Sequence, residues 1–293
     1  MAKINEINEQ KIVVQSVGGF ASSLQQIATM RMTSLRRAVL DSQRFVEEAT
    51  QILRELKKER QSVFLQELRK VDKHFKTSSL RKEAIIVISS YQGLCGSYNT
   101  EIEKKLEKIV PQYLRADYFV IGSKGQEIFK KFKRRYPDLQ WYPYDVPEEV
   151  KIENLHNLIN MFVYYDQIHL IYSKYINTTT RDVVFLELLE PALDMATELE
   201  SEEEAQGEFL FEPDIEELIE KVSEKLRYAL FRQQILDSKL SLYTAQMIAM
   251  KTASDNADKL LKDLQLEYNK ARRKMIDRKI QEVQAGRALW AEE

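Results

Sequence analysis

The feature that most limits how this chain can fold is a helical pattern that runs without interruption from about residue 214 to residue 285. Apolar or small residues recur along it at steps of three or four, at Leu236, Leu240, Tyr243, Met247, Met250, Ala253, Ala257, Leu260, Leu264, Tyr268, Ala271 and Met275. No proline follows Pro213, and no glycine occurs again before Gly286, which suits a C-terminal cap. A helix of roughly 70 residues would be about 105 Å long, far longer than a globular core requires.

A second seam of this kind occupies the N-terminal region, residues 1–75, which we also predict to be helical. Its apolar or small positions are Leu24, Ile27, Met30, Leu35, Ala38, Ser42, Phe45, Ala49, Ile52 and Leu56. Gly18 and Gly19 interrupt the start of the pattern. Because glycine in a helix costs up to about 1 kcal/mol, we expect a bend or a frayed segment there.

The two seams predict an antiparallel coiled coil, because packing them against each other buries both at once. This coil would project from a domain that lies between the helices in the sequence. The alternative is that each helix folds back over that domain. The coiled coil is favoured because helices of this length cannot fit on a domain of about 115 residues.

The region between the helices, residues 80–197, predicts a small α/β domain. Its apolar runs predict strands at 83–90, 117–123, 167–173 and 181–188, and the stretches between the first three predict helices at 98–114, 124–135 and 148–165. Strands that alternate with helices favour a mainly parallel sheet with helices on its faces. The last two strands are close enough for an antiparallel hairpin at the edge. An acidic linker, 198–213, then leads into the C-terminal helix, 214–287.

The bulk composition favours no class of ligand. With 44 basic and 46 acidic residues the net charge is −2, so no global excess of charge indicates nucleic acid. One cysteine cannot form an internal disulfide. The N-terminus has no apolar signal core, and no stretch approaches the roughly 20 apolar residues of a membrane span. We therefore expect a chain that is soluble, or peripheral to a membrane through a partner.

The stretch SSYQGLCGSYN, residues 89–99, is the strongest candidate for chemistry, because it follows a strand and places Gly93 and Gly96 around the lone Cys95. It matches neither GxxxxGK[ST] nor GxGxxG, the patterns of phosphate-binding loops. A cysteine nucleophile needs a nearby base, and none of the three histidines has a recognisable spacing to Cys95. Three histidines and one cysteine do not build a zinc site either. We expect a structural turn in which the glycines allow unusual backbone angles and Cys95 fills a small buried space.

A basic cluster, KARRKMIDRK at 270–279, could form one positive zone with Arg31, Arg36 and Arg37 if the two helices pair. Such a zone could bind nucleic acid, meet an acidic protein, or simply be a solvated helix face. No aromatic residues interleave the cluster, as base stacking would favour, so nucleic acid is the weaker alternative.

Several of these stretches resemble the gamma subunit of F-type ATP synthases. SSYQGLCGSYN (89–99) is similar to that family's SSDRGLCGGFN turn, and SLRRA (34–38) to its KLRRA. The C-terminal matches are more specific: FLFEPDIEEL (209–218), SLYTAQMIAMKTASDNADKL (241–260) and LQLEYNKARRKMIDRKIQEVQAG (264–286) resemble its YLYEP, SEHAARMVAM and YNKARQ patterns. The resemblance covers nearly the whole chain in layout and is sharpest over about the last 80 residues. The family's IT.AM.MVA pattern is not kept in SLQQIATMR.

The resemblance implies a rotor shaft that does no chemistry itself and needs no cofactor. In that family an antiparallel coiled coil and a Rossmann-like foot domain form the shaft. The coil sits inside a hexamer of alpha and beta subunits, and the foot joins epsilon and a membrane ring. Proton or sodium flow through the ring turns the shaft and cycles the catalytic beta subunits. The implied place is peripheral, on the cytoplasmic side of a bacterial-type membrane, with no small-molecule substrate and with nucleic acid an unlikely partner.

The resemblance also implies which residues meet partners. The positions that carry over as contacts to the alpha/beta hexamer are Arg36, Arg37, Asn269, Arg272, Arg273, Ile276, Asp277 and Lys279. Phe211 and Glu212 match the part of the foot that meets the membrane ring and epsilon, and Gly93, Cys95 and Gly96 form the structural turn.

Some of these positions depart from the family pattern. Arg273, Asp277 and Lys279 stand where the family has Gln, Thr and Glu, and Leu242 and Gln246 stand where it has Glu and Arg. These changes leave open a paralogous rotary ATPase with a hydrolytic role. A stand-alone coiled-coil or nucleic-acid-binding adaptor is a further alternative.

Overall fold

The computed structural model describes residues 2–73, 83–146, 155, 165, 167–188 and 215–290. The elements in chain order are helix α1 (Ala2–Lys73), strand β1 (Glu83–Ile88), helix α2 (Tyr98–Ile109), strand β2 (Asp117–Ile121), helix α3 (Ser123–Arg135), strand β3 (Gln140–Tyr144), strand β4 (Gln167–Tyr175), strand β5 (Arg181–Glu187) and helix α4 (Ile215–Trp290). Long terminal helices around an α/β sheet are the predicted fold class, and this prediction is confirmed.

The long C-terminal helix extends beyond its predicted end. Helix α4 has 76 residues and continues through Gly286 to Trp290, so the prediction that Gly286 caps it is wrong. A single glycine inside a long helix costs only about 1 kcal/mol, which the residues on either side can offset. The acidic linker at 198–213, with Phe211 and Glu212, lies outside the described residues, as does nearly all of the predicted helix at 148–165.

The described strands form one sheet in the order β3-β2-β1-β4-β5. Strands β1 to β4 pair in parallel, and β5 pairs antiparallel with β4, with Tyr175 opposite Arg181. The predicted parallel order and edge hairpin are therefore confirmed. The predicted helix at 98–114 ends its α-helical part at Ile109, and a 3-10 turn over Val110–Gln112 follows. Pro111 has no N–H for an α-helical hydrogen bond, which explains this change.

Strand β3, with the sequence QWYPY, is a strand that the sequence analysis missed. It contains Pro143, which normally argues against a strand, and none of its side chains is fully buried. Proline is nevertheless tolerated in an edge strand, and β3 lies at one end of the strand order.

The chain divides into two compact units. The first, which we call the coil unit, consists of Met1–Thr29 and Gln246–Glu293, and the second, the sheet unit, consists of Met30–Ala245. In the sheet unit the strands alternate between two cores. Ile86 and Leu170 belong to the core that includes Val39 and Phe231 of the long helices. Ile85 and Val87 belong to the core built with α2 and α3. Both faces of the parallel sheet are therefore covered, as parallel sheets require.

In the coil unit the two helices run antiparallel. Lys11 contacts Gln265, whereas Gly18, further along α1, lies against Ala257, which comes earlier in α4. In the coil unit, buried or half-buried residues of α1 form a heptad seam at Ile4, Ile7, Lys11, Val14, Gly18, Ala21, Gln25 and Ala28. In the sheet unit, buried or half-buried residues of α1 have the same spacing at Met32, Leu35, Val39, Ser42, Val46 and Ala49. Steps of alternately three and four residues are the spacing of a coiled coil, so this prediction is confirmed.

The packed seam of α1 is displaced by one residue from parts of the predicted seam. Ile27 and Phe45 are each 46% exposed, while their neighbours Ala28 and Val46 are buried. Met30 is also exposed. Apolar residues occupy two adjacent stripes of α1, and periodicity alone does not tell which of the two packs against the partner helix.

Gly18 and Gly19 lie inside an unbroken helix, so the predicted frayed segment is wrong. A Cβ atom at Gly18 would lie 3.0 Å from the Cβ atom of Ala257, whereas one at Gly19 would meet nothing within 4 Å. Gly18 therefore permits a close approach of α1 to α4. The contacts between the two helices that result offset the low helix propensity of glycine.

We predict that Gly18→Leu and Gly19→Leu have opposite effects on the free energy of unfolding. Gly19→Leu should raise it by about 0.5–1 kcal/mol, because leucine favours the helix and its side chain enters open space. Gly18→Leu should lower it by about 1–3 kcal/mol, because the side chain forces the two helices apart. Chemical denaturation of the two variants measures both changes, and equal effects would refute the close approach.

Candidate partner-binding surface

The coil unit exposes a stripe of large apolar side chains beside its packed seam. We call Val13, Val17, Phe20 and Ile27 the α1 stripe. Each member directly precedes a seam position, and Phe20 is 62% exposed while its neighbour Ala21 is buried. The α4 helix also exposes Leu266, Ile276, Ile280 and Val283. Clustered apolar side chains left in water indicate a surface that a partner covers.

The candidate contact Asn269 is held by a chain of side chains that links the two helices. Lys11 Nζ donates to Gln265 Oε1 at 2.5 Å, and Gln265 Nε2 donates to Asn269 Oδ1 at 3.2 Å. The same ammonium of Lys11 lies 5.2 Å from the ring centre of Tyr268, within the range of a cation–π contact. Asn269 is half-buried and oriented by these contacts, rather than extended into solvent.

The other candidates on α4 are exposed. They are Arg272, Arg273, Ile276, Asp277 and Lys279. Their neighbour Arg278 instead pairs with Glu282 on the same helix at 3.2 Å. Arg36 and Arg37 are exposed too, but they belong to the sheet unit. Residues 31–37 and 270–279 belong to different units, so the single positive zone predicted from them stays a prediction.

The turn after β1 is built differently from the expectation. Gly96 has a φ of 59°, as expected of a glycine that is needed for its backbone angle, but Gly93 has no positive φ. Instead Leu94 adopts a φ of 62°, which is uncommon for a side chain of this kind, and it is exposed.

Cys95 is buried in this turn and has the contacts of a structural residue. Only 3% of it is exposed, and Asn99 Nδ2 donates to its Sγ at 3.1 Å. Burial raises the pKa of the Cys95 thiol, which disfavours the thiolate that a nucleophile requires.

Gly122 and Gly125 lie in the sequence GSKG (122–125), which follows β2. The space beside these two glycines is occupied by Ser89 and not by a phosphate-binding cavity. A Cβ atom on Gly122 would lie 2.6 Å from the carbonyl oxygen of Ser89, and one on Gly125 would lie 2.5 Å from Ser89 Oγ. The N–H of Gly125 donates to Ser89 Oγ at 2.8 Å, and that of Lys124 to the Ser90 carbonyl at 3.0 Å. N–H groups at the start of a helix are the usual donors to a bound anion. Here these N–H groups of α3 donate to Ser89 and Ser90 instead.

Sequence reasoning missed this role of Ser89. The available signal was a serine directly after β1 combined with two glycines directly after the neighbouring β2. The pairing of the two strands brings these positions together, and the sequence does not state that pairing.

A half-buried carboxylate, Asp237 of α4, lies against the end of β4. It accepts a hydrogen bond from the backbone N–H of Tyr175, and Lys174 is the nearby cation. Burial raises the pKa of Asp237 to about 6, against the smaller opposing effects of these two partners. The fold therefore binds the proton of this carboxyl more tightly than an exposed aspartate does.

Similarity to known proteins over most of the chain shows the family of this protein. Residues 3–289 match the family model described as ATP synthase. The ATP synthase gamma chain of Psychrobacter arcticus is 32% identical over 222 residues, which cover 71% of this chain and 74% of the relative. The chain belongs to the ATP synthase gamma-chain family. The gamma chain of Stenotrophomonas maltophilia is 29% identical and covers 98% of this chain and 99% of its own length.

The fold agrees with the same family. A chain of the central stalk and c-ring structure of the Tetrahymena thermophila mitochondrial ATP synthase superimposes with a TM-score of 0.56. That chain is 20% identical, and the match covers 80% of this chain and 99% of that one. Membership of the gamma-chain family does not favour the alternatives of a paralogous ATPase or a stand-alone adaptor. In the part of the chain that the structure describes, no helix combines the length and apolarity that crossing a membrane demands.

We predict that Asp237→Asn makes this gamma-family chain more stable than the wild type at neutral pH and removes part of its pH dependence. Because the folded pKa is raised, the wild type gains stability as the pH falls from about 6 towards the ordinary aspartate value of about 4, while the burial of the charge costs about 3 kcal/mol above that range. The difference between variant and wild type should shrink by about 1 kcal/mol between about pH 7 and pH 5.

Denaturant unfolding at several pH values measures this difference. Asp182→Asn, which changes an exposed aspartate of β5, is the matched control and should show no such trend. A difference between Asp237→Asn and wild type that is constant with pH would contradict the prediction.

Proposed function

We propose that this chain is the central-stalk rotor subunit of an F-type ATP synthase and that it transmits torque without performing chemistry. The observation that carries the proposal is the coil unit: two antiparallel helices that approach closely at Gly18 and Ala257, with a stripe of large apolar residues left exposed beside their seam. In a chain of the gamma-chain family, this pairing suits a stiff shaft that turns inside a sleeve of other subunits.

Stiffness follows from the seam. An unbroken heptad spacing lets side chains of one helix interlock with those of the other over the whole contact. Gly18 and Ala257 bring the two backbones close together, which increases the number of van der Waals contacts along the shaft. A closely packed pair resists bending and twisting more than one long helix does, as a torque-bearing element must.

The α1 stripe suits a rotating contact for a different reason. Apolar contacts are non-directional, so their free energy depends on the area covered and not on the alignment of donors and acceptors. A surface of Val13, Val17, Phe20 and Ile27 can move past successive partner surfaces without breaking oriented hydrogen bonds at each step. The partners that fit this role are the alpha and beta subunits of the hexamer.

The polar contacts give the shaft its direction. The polar residues Asn269, Arg272, Arg273, Asp277 and Lys279 on α4, with the apolar Ile276 among them, would meet the hexamer at defined angles together with Arg36 and Arg37 on α1. Each angle then favours a different nucleotide state of the beta subunits. By linkage, the nucleotide states favour the corresponding angles, so ion flow can drive ATP synthesis and ATP hydrolysis can drive ion flow.

The sheet unit serves as the foot of the shaft. Phe211 and Glu212 are the positions proposed to meet the membrane ring and epsilon. The chain would then be held at the cytoplasmic side of the membrane by its partners, with protons or sodium as the coupling ion. Ser89 occupies the space at the start of α3, and Cys95 is buried, so neither turn is arranged for catalysis.

Affinity purification from the native host tests the assembly. Recovery of alpha and beta subunits in three copies each per chain, with ATPase activity, would support the rotor. Recovery of the chain without these subunits, or with nucleic acid whose binding weakens steeply as salt rises, would contradict it.

We predict that Arg272→Ala slows ATP turnover in the assembled complex by roughly tenfold, the loss expected for one charged contact worth about 1.4 kcal/mol. The free chain should unfold at the same denaturant concentration as the wild type, because Arg272 is exposed. Arg278→Ala is the matched control, since it removes the same charge from the same helix but breaks only the local pair with Glu282.

Turnover and ion pumping rates of the two variants are compared after equal assembly is verified. An equal decrease in both variants would indicate a general effect of charge. Unchanged turnover and pumping with Arg272→Ala would count against its role as a contact to the hexamer.

A further inference from the structure

Helix α4 crosses the end of the sheet at the position where sheets of this kind usually bind a ligand. The strand order changes direction between β1 and β4, and ligands of doubly wound sheets bind outside the carboxyl ends of two such strands. Phe231 and Leu240 of α4 belong to the core on one face of the sheet, whereas Ala245 belongs to the core on the other face. The helix therefore passes through this crevice and fills it.

Two buried hydroxyl pairs attach α4 at this crossing. Tyr98 Oη and Ser238 Oγ are 2.9 Å apart, and Ser173 Oγ and Ser241 Oγ are 2.8 Å apart. None of these four residues is more than 1% exposed. Burial also raises the pKa of Tyr98, so its phenol remains a neutral hydroxyl that donates or accepts.

The two pairs fix α4 to two different elements. Ser238 contacts Tyr98 at the start of α2, and Ser241, one turn further along α4, contacts Ser173 of β4. Apolar packing resists movement of the helix through the fit of its side chains, but it does not require particular pairs of atoms to be aligned. Hydrogen bonds require alignment, so two of them to separate elements define both the rotation and the axial position of the helix.

We propose that the pairs Tyr98–Ser238 and Ser173–Ser241 form a torsion joint that locks the rotation of α4 against the sheet and carries torque between the foot and the shaft. The second half of this statement rests on the rotor function proposed above. The residues act by positioning the helix.

The joint is tested by removing both partners of each pair, with Tyr98→Phe, Ser238→Ala, Ser173→Ala and Ser241→Ala in one chain. Because no hydroxyl is left buried without its partner, the loss of stability should be small. Thr244→Val is the matched control: it removes a buried hydroxyl from the same helix, but one that donates only to the Leu240 carbonyl of that helix at 2.8 Å.

The first measurement is the distance distribution between two spin labels in the free full-length chain. The labels are placed at Lys108→Cys on α2 and Lys225→Cys on α4, both exposed positions, and buried Cys95 does not compete for the reagent. The width should increase roughly twofold in the fourfold variant and remain unchanged in Thr244→Val. Equal widths in the fourfold variant and the wild type would overturn the joint.

If the fourfold variant does not fold, Ser173→Ala with Ser241→Ala removes one pair alone. The distribution should then broaden by a smaller amount than in the fourfold variant, and an unchanged width would again overturn the joint. Unfolding curves of all variants verify that the comparison is made between folded chains.

The second measurement is the number of ions pumped per ATP hydrolysed in the reconstituted complex. This ratio should fall roughly twofold in the fourfold variant, because without the two pairs the hexamer can hydrolyse ATP without rotating the foot by the full amount. In the Thr244→Val complex the ratio should equal that of the wild type. A ratio equal to that of the wild type would overturn the torque role. If the wild-type chain forms no ATP-hydrolysing complex, the proposed function is wrong. The distances between the spin labels in the free chain still test whether the two hydroxyl pairs lock the rotation of α4.

Discussion

The close contact between Gly18 and Ala257 is the constraint on which the coil unit depends. A side chain larger than hydrogen at position 18 would push α1 and α4 apart and disturb the heptad seam on both sides of it. Beside the seam, large apolar side chains such as Val17 and Phe20 remain in solvent. Close packing at Gly18 and an exposed apolar surface thus lie next to each other on α1.

In the described part of the sheet unit, the fold's own residues occupy two positions at which doubly wound sheets often bind nucleotides. Ser89 accepts a hydrogen bond from the start of α3, and α4 crosses the ends of β1 and β4. At both positions a buried side-chain hydroxyl bonds to the fold itself. The topology of such a sheet is present, and the carboxyl ends of its strands attach a long helix.

The sequence predicts the long helices well because their period, close to 3.6, extends over many residues. It predicts the parallel strands because strands buried on both faces appear as short continuous apolar runs. It does not predict which of two adjacent apolar stripes of α1 packs against the partner helix. Ile27 and Ala28 could each occupy a buried seam position, and contacts with the partner helix determine that Ala28 does. Strand β3 was missed because Pro143 is a valid sign against a central strand but not against an edge strand. The contacts of Ser89 and Ser238 depend on residues distant in sequence, which periodicity does not reveal.

Pro143 also affects whether another chain can pair with the edge of the sheet. Strand β3 lies at one end of the described strand order, and an edge strand is a template on which another chain can extend the sheet. Proline offers no N–H to such a chain, so an incoming strand finds its hydrogen-bond ladder interrupted near the middle of β3. Pro143 thereby disfavours edge-to-edge aggregation of this chain through β3.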